Sequence, residues 1–224
     1  IAHLVVGPAI GLALHQRESL VLHGSGVVID GAAVVFVGDA GWGKSTTAAA
    51  FLREGADLIT DDMALLEPAS GDGYDVLAGP PWLKLWPEAV DALGLAAAGV
   101  EPEPEPIHPG EEKLRVRIPV AFAPGGGGHR LAAIYVLHPG DRGGSSRVEP
   151  VGRSEAFVEL TRHSFAASVL ERTHAQPWHS AAVAEVVRRV PVRRLVVDRD
   201  LEALDALVAH VRADIPVRLP MPVS

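Results

Sequence analysis

The chain has 224 residues, with 28 acidic against 20 basic side chains, a formal net charge of −8 and no cysteine. That balance excludes a nucleic-acid binder that works by neutralising phosphates, and the missing thiols exclude disulfides, thiolate metal sites and thiol catalysis. Apolar residues make up 48% of the chain, which suits a sizeable core and not a disordered chain, while no run reaches the ~18 apolar residues of a membrane span. The opening Ile1-Ala2-His3-Leu4 has no basic region ahead of an apolar stretch, so no secretory signal is expected. These points predict a cytoplasmic protein with one domain over residues 1–224, no membrane partner and no nucleic-acid partner.

In chain order, residues 10–15 predict a short helix, and 19–29 an extended run broken at His23-Gly24-Ser25-Gly26. Asp30-Gly31 is a hairpin turn signal between apolar flanks. Residues 33–37 (AVVFV) suit a strand buried on both faces. A glycine-rich loop over 38–43 precedes a helix over 44–54, which Gly55 stops. Strands follow over 57–60 and 63–66, then a turn at 71–73 and strands over 74–77 and 83–85. Residues 87–95 predict a helix with Pro87 in its first turn. Alternating Pro and Glu over 101–110 can neither pack nor pair, so this is an exposed loop. Strands are expected over 114–118, 131–137, 147–151 and 194–197, a glycine turn over 125–128, and helices over 154–172, 180–189 and 200–213. His108, His129 and His138 lie by Pro or Gly and read as loop residues. His174 and His179 resemble a metal pair, but Pro177-Trp178 between them breaks helical i, i+4 spacing.

The strongest motif is Gly38-Asp39-Ala40-Gly41-Trp42-Gly43-Lys44-Ser45, followed by Thr46, which fits G-x-x-x-x-G-K-[ST]. An apolar strand precedes it and a helix follows, as a phosphate-binding loop requires. Glycines let backbone N–H groups turn inward toward phosphates, and the helix N-terminus adds partial positive charge. Lys44 would reach the β- and γ-phosphates and the Ser45 hydroxyl would ligate Mg²⁺. Trp42 either covers the phosphates or packs on a neighbouring strand. Asp61 and Asp62 end the next strand, on the side where parallel sheets bind ligands. Neighbouring carboxylates raise one another's pKa, which suits proton transfer. Only three lysines occur, Lys44, Lys84 and Lys113, and one of them sits in this motif.

His23-Gly24 on a strand, the loop from Gly38 to Ser45, and Asp61-Asp62 after its helix together resemble the HPr kinase/phosphorylase superfamily. The close match covers about residues 20–66; beyond it only texture persists, as in Trp82-Leu83-Lys84-Leu85-Trp86-Pro87. More narrowly, the chain resembles the short HPr-kinase-like proteins found beside lasso-peptide biosynthesis genes, which phosphorylate the C-terminal serine of a precursor peptide. These 224 residues leave no room for the large N-terminal domain of HPr kinase/phosphorylase, and that family's glycine-rich signature after the P-loop is missing. The signature is linked to the reverse reaction, so the expectation turns from HPr toward a peptide.

The resemblance implies an α/β fold like the C-terminal domain of HPr kinase, a P-loop nucleotide-binding domain with a mixed sheet. It implies an ATP- and Mg²⁺-dependent serine kinase whose partner is a peptide or small protein, with HPr or another small carrier as the alternative acceptor. A nucleotide-binding regulatory protein without an acceptor is the alternative of another class. By the resemblance Asp61 is the general base, His23 tunes its charge, and Asp62 helps Ser45 hold Mg²⁺. Lys44 and the backbone of Gly41 and Gly43 neutralise the phosphates. One of Lys113, Arg115 and Arg117, which alternation puts on one face of a strand, is a candidate third cation. Family members form hexamers, so a homo-oligomer is compatible with the resemblance.

Overall fold

A run such as 33–37, apolar and largely β-branched, offers water no polar face and folds only as a strand with protein above and below it. The computed structural model describes residues 9–11, 13–95, 112–119, 127–165 and 176–215. Its strands in chain order begin with β1 (Leu20–Leu22), β2 (Gly24–Ile29), β3 (Ala32–Val37), β4 (Asp57–Thr60), β5 (Ala64–Pro68) and β6 (Tyr74–Val76). They continue with β7 (Trp82–Leu85), β8 (Leu114–Arg117), β9 (His129–Pro139), β10 (Arg147–Pro150) and β11 (Val192–Val197). The helices are α1 (Lys44–Arg53), α2 (Pro87–Ala92), α3 (Arg153–Arg162), α4 (Gln176–Arg189) and α5 (Leu204–Asp214), with one 3-10 turn at Leu201–Ala203. Residues 9–11 and 13–16 are also helical. The fold is α/β with a large mixed sheet. Among the described residues no helix is long and apolar enough to cross a membrane.

Nine strands share the main sheet, in the order β1-β5-β6-β9-β3-β2-β4, with β11 and then β10 branching from β9. The centre is parallel: β3 runs beside β9, and β9 beside β11. All other pairs are antiparallel. Every residue of β3 is buried, because side chains alternate between two cores. Val34 and Phe36 face one core, with α1, α5 and the β7–β8 ribbon, while Val35 and Val37 face the other, with α3 and α4. Strands β7 and β8 form a separate antiparallel ribbon.

Local chemistry explains the joints. Asp30 (φ 50°) and Gly31 (φ 82°) make a two-residue loop between Ile29 and Ala32 with both residues left-handed, the turn whose twist matches paired strands. Helix α1 ends where Gly55 takes φ 84°; its N–H reaches the Leu52 carbonyl and that of Ala56 the Phe51 carbonyl, both at 3.0 Å.

Several sequence expectations shift. The break at residues 23–26 narrows to His23, because β1 pairs with β5 while β2 pairs with β3 and β4. Of the helix expected over 154–172, the described part ends at Arg162, where Ser164 bridges Leu22 and the Phe165 N–H bonds the Val21 carbonyl, and 166–172 lie outside the described residues. His129 and His138 lie in β9 and not in loops. Pro177 and Trp178 lie in the first turn of α4, where the proline's missing N–H costs nothing, so they do not interrupt a helix at His179. The Pro/Glu loop at 101–110, Gly125, His108 and His174 fall outside the described residues.

Phe51 fixes α1 to the sheet: it is fully buried and its ring stacks on Phe36 at 5.4 Å. Phe51→Ala is expected to cost about 3–5 kcal/mol in urea unfolding. An unchanged midpoint would show that α1 is not seated on β3.

Candidate active site

The parallel strand β3 ends at Val37, and the loop that follows delivers the backbone to the N-terminus of α1. Gly41 (φ 81°) and Gly43 (φ 89°) take left-handed conformations with nothing near a would-be Cβ, so conformation and not space demands glycine there. Gly38 differs, since a Cβ would sit 3.2 Å from the Leu137 carbonyl and 3.3 Å from the Trp42 ring. Gly43 is the N-cap of α1, with no side-chain cap and no acidic residue in the first turn. The first-turn N–H groups are thus left for an anion, and nothing on the helix offsets its positive end. Lys44 is buried; its Nζ donates to the carbonyls of Gly38 (2.9 Å) and Asp39 (3.1 Å). Burial pulls its pKa down and the charges of Asp61 and Asp62 oppose that pull. Trp42 is half-buried against the first core, with its ring 5.1 Å from that of His138.

The acidic pair splits at its own backbone. Asp62 takes φ 68°, a left-handed conformation that aspartate tolerates better than most residues. Its carbonyl accepts from His23 Nδ1–H at 3.0 Å and from the Gly24 N–H at 3.3 Å. Gly24 has to be glycine, because a Cβ would lie 2.6 Å from the Phe36 carbonyl. The two carboxylates then diverge. Asp61 turns inward. Its Oδ1 accepts from Ser25 Oγ at 2.5 Å and Ser45 Oγ at 3.0 Å, and its Oδ2 accepts from the Lys84 N–H at 3.0 Å and from Ser45 Oγ at 3.2 Å. Asp62 turns to the cleft and pairs with Lys84 Nζ. Burial, then the Asp62 charge, holds the Asp61 carboxyl above its ordinary pKa, against the pull of Ser25, Lys84 N–H and Ser45. Burial, then the Lys44 charge, lowers the pKa of His23, which favours the neutral ring.

A cleft of about 390 Å³ runs beside these groups, within the range of small-molecule sites. Ala40, Gly41, Trp42, Gly43, Lys44, Ser45 and Thr46 line it, as do His23 and Asp62. All three lysines of the chain line it as well. Asp198, Asp200 and Leu201 close its far end, where the buried Asp198 accepts from the Gly143 N–H at 3.0 Å and the Asp200 N–H at 2.9 Å. The structure therefore brings the P-loop, His23, Asp62 and Lys113 to one space. It sets Asp61 behind Ser45, and Arg115 and Arg117 over the Trp82 ring, away from the cleft. Asp39 reaches the other way, with an ion pair to Arg162 at 2.5 Å; from the next residue, the His163 carbonyl accepts from the His23 N–H at 2.7 Å.

Sequence reasoning passed over Ser25 and Lys84. Lysine scarcity was the signal for Lys84, since each of the three belongs to this cleft. Ser25 carried no such signal, because only the fold brings β2 against Asp61. His179 gives its ring nitrogen to Ser164 Oγ at 2.8 Å, and among the described residues no group of three or more His, Asp and Glu is placed to hold a metal. Ser45 Oγ, backed by Asp61, is the hard oxygen at the head of α1 that would hold Mg²⁺.

No protein-family model matches this sequence, and no curated protein matches it. Among solved structures, the chain is similar to the HPr(Ser) kinase/phosphatase from Coxiella burnetii, with 14% identity, coverage of 86% of this chain and 96% of that one, and a TM-score of 0.40.

Because its native pKa is raised, Asp61 keeps its proton to higher pH than the same carboxyl in the unfolded chain. Ionisation therefore removes stability as pH rises through the native value, and the penalty vanishes below the unfolded one. Asp61→Asn cannot ionise. The urea stability of Asp61→Asn relative to the parent chain is expected to shift in the variant's favour as pH rises from about 4 to about 8. A pH-independent difference would show that burial does not govern this group.

Proposed function

We propose that this chain is a Mg-ATP-dependent kinase that transfers the terminal phosphoryl group to a serine hydroxyl of a peptide or small protein. One observation carries the reading: the P-loop cradle and the Asp62 carboxylate line the same cleft, with the other two lysines beside them. A nucleotide sensor needs the cradle and a metal carboxylate, but has no use for a second carboxylate in the space where an acceptor would enter.

Phosphoryl transfer asks a protein mainly for position and charge. Bound Mg²⁺ would neutralise phosphate oxygens. The α1 N-terminus and Lys44 would hold the β- and γ-phosphates, and Asp61, by accepting from Ser45 Oγ, would leave that hydroxyl's lone pairs available to the cation. As the serine oxygen bonds to the γ-phosphorus and the bond to the bridging oxygen breaks, the serine proton passes to Asp62. His23 fixes the Asp62 backbone through its carbonyl, and Lys84 steadies the carboxylate. This exchanges the roles that the sequence resemblance suggests for the acidic pair. Three donors already hold both oxygens of Asp61, with the Ser45 hydroxyl shared between them, whereas Asp62 faces the cleft with a single side-chain partner. The favoured acceptor is the C-terminal serine of a precursor peptide, and HPr is the alternative.

Intact-mass analysis with Mg-ATP should show one phosphate added to a serine-terminated precursor peptide, and none when that serine is alanine. Phosphate on HPr instead would move the chain to carrier-protein regulation. Bound ATP with no phosphate on either would favour the regulatory reading. Asp62→Asn is expected to slow transfer by ~10²–10⁴-fold with ATP affinity little changed. Asp61→Asn should raise the Mg²⁺ requirement. Full-rate transfer by Asp62→Asn would return the base to Asp61.

A further inference from the structure

The β7–β8 ribbon has two unlike faces. Leu83, Leu85 and Val116 are fully buried against the first core. The opposite face carries Trp82 across from Arg117 and Lys84 across from Arg115, and Trp86 and Lys113 extend it. The cations and rings interleave: Arg115 and Arg117 lie 5.6 and 5.5 Å from the centre of the Trp82 ring, and Lys113 lies 5.5 Å from that of Trp86. Neither strand contains an acidic residue. Among the described residues, Lys113 and Arg117 have no carboxylate partner. Trp86 is 43% exposed, one of three large apolar side chains left so open among the described residues.

In a chain of net charge −8, such a face is a local reversal of sign. An acidic segment would be repelled elsewhere and drawn here. Stacking on tryptophan pre-orients the Arg117 guanidinium while leaving its edge N–H groups able to fork onto carboxylates. The face is also continuous with the site. Lys84, Trp86 and Lys113 line the cleft, and Trp82, Arg115 and Arg117 carry the same chemistry outward from it. An extended chain advances ~3.3 Å per residue, so a peptide whose terminal serine meets Asp62 can lay the few residues before it along this ribbon.

We propose that the cation–aromatic face of the β7–β8 ribbon is the acceptor-docking surface, and that it selects a peptide with acidic residues ahead of its C-terminal serine. The proposal rests on the kinase reading for the word acceptor, and its test does not need transfer. Peptides that end in serine after a run of Glu, Gln or Lys, labelled with fluorescein at the N-terminus, would be titrated without nucleotide and followed by anisotropy. The Glu peptide should bind at least about tenfold more tightly than the Gln peptide, less so as salt rises, and Arg117→Glu should remove about tenfold of that affinity. Arg117→Lys should retain part of it, and ATP affinity should stay unchanged in both variants, since Arg117 lies outside the cleft.

Equal binding of the Glu and Gln peptides, or an Arg117→Glu variant that binds as the parent does, would overturn the proposal. So would a twelve-residue oligothymidylate that binds more tightly than the Glu peptide, which would assign the face to single-stranded nucleic acid. Failure to bind ATP, with the acidic preference intact, would sink the kinase reading and leave the docking face standing.

Discussion

One carboxylate joins three separate elements of this molecule. Asp61 accepts from Ser25 on β2, from Ser45 on α1 and from the Lys84 backbone on β7. A carboxylate taken out of water is costly unless hydrogen bonds replace its hydration, and these donors come from segments that are distant in sequence. The requirement therefore acts as a clamp. If the ribbon moved away, Asp61 would lose a donor, and if α1 turned, it would lose Ser45. The P-loop, the sheet and the ribbon are thereby held in one register around the cleft.

The neighbouring residue depends on the same joint. Alternation along a strand would put Asp61 and Asp62 on opposite faces, and continued strand geometry would send one of them away from the site. The left-handed turn at Asp62 breaks the alternation, and His23 and Gly24 hold its carbonyl in place. His23 thus has a structural reason for its position between β1 and β2, where the chain leaves one set of partners for another. The close approach of Gly24 to the Phe36 carbonyl brings that crossing near enough to serve the acidic pair.

These dependencies account for what could be read from the chain alone. The P-loop was legible because its constraints are local: glycines for left-handed backbone, a strand before and a helix after. The buried strand at 33–37 was legible because it carries no polar face. The run through residues 163–165 was misjudged, since pairing of Ser164 with Leu22 takes the chain out of the helix there, a contact across 142 positions that no local pattern announces. Ser25 was invisible for the same reason, and the division of labour within Asp61-Asp62 turns on one backbone angle that the two letters do not encode.

The two kinds of cation around the cleft divide in space as their chemistry would have them divide. The lysines, compact and strongly hydrated point charges, line the cavity where phosphates of changing geometry would be held. The two arginines of β8 lie outside it on Trp82, where planar groups can stack and fork. The pattern runs along one ribbon with a buried apolar back, so the core packing of Leu83, Leu85 and Val116 holds both sets at once. Because the Lys84 N–H also serves Asp61, the surface that would choose a partner and the carboxylate that orders the P-loop are parts of one hydrogen-bonded unit. A shift of the ribbon would therefore be felt at Ser45.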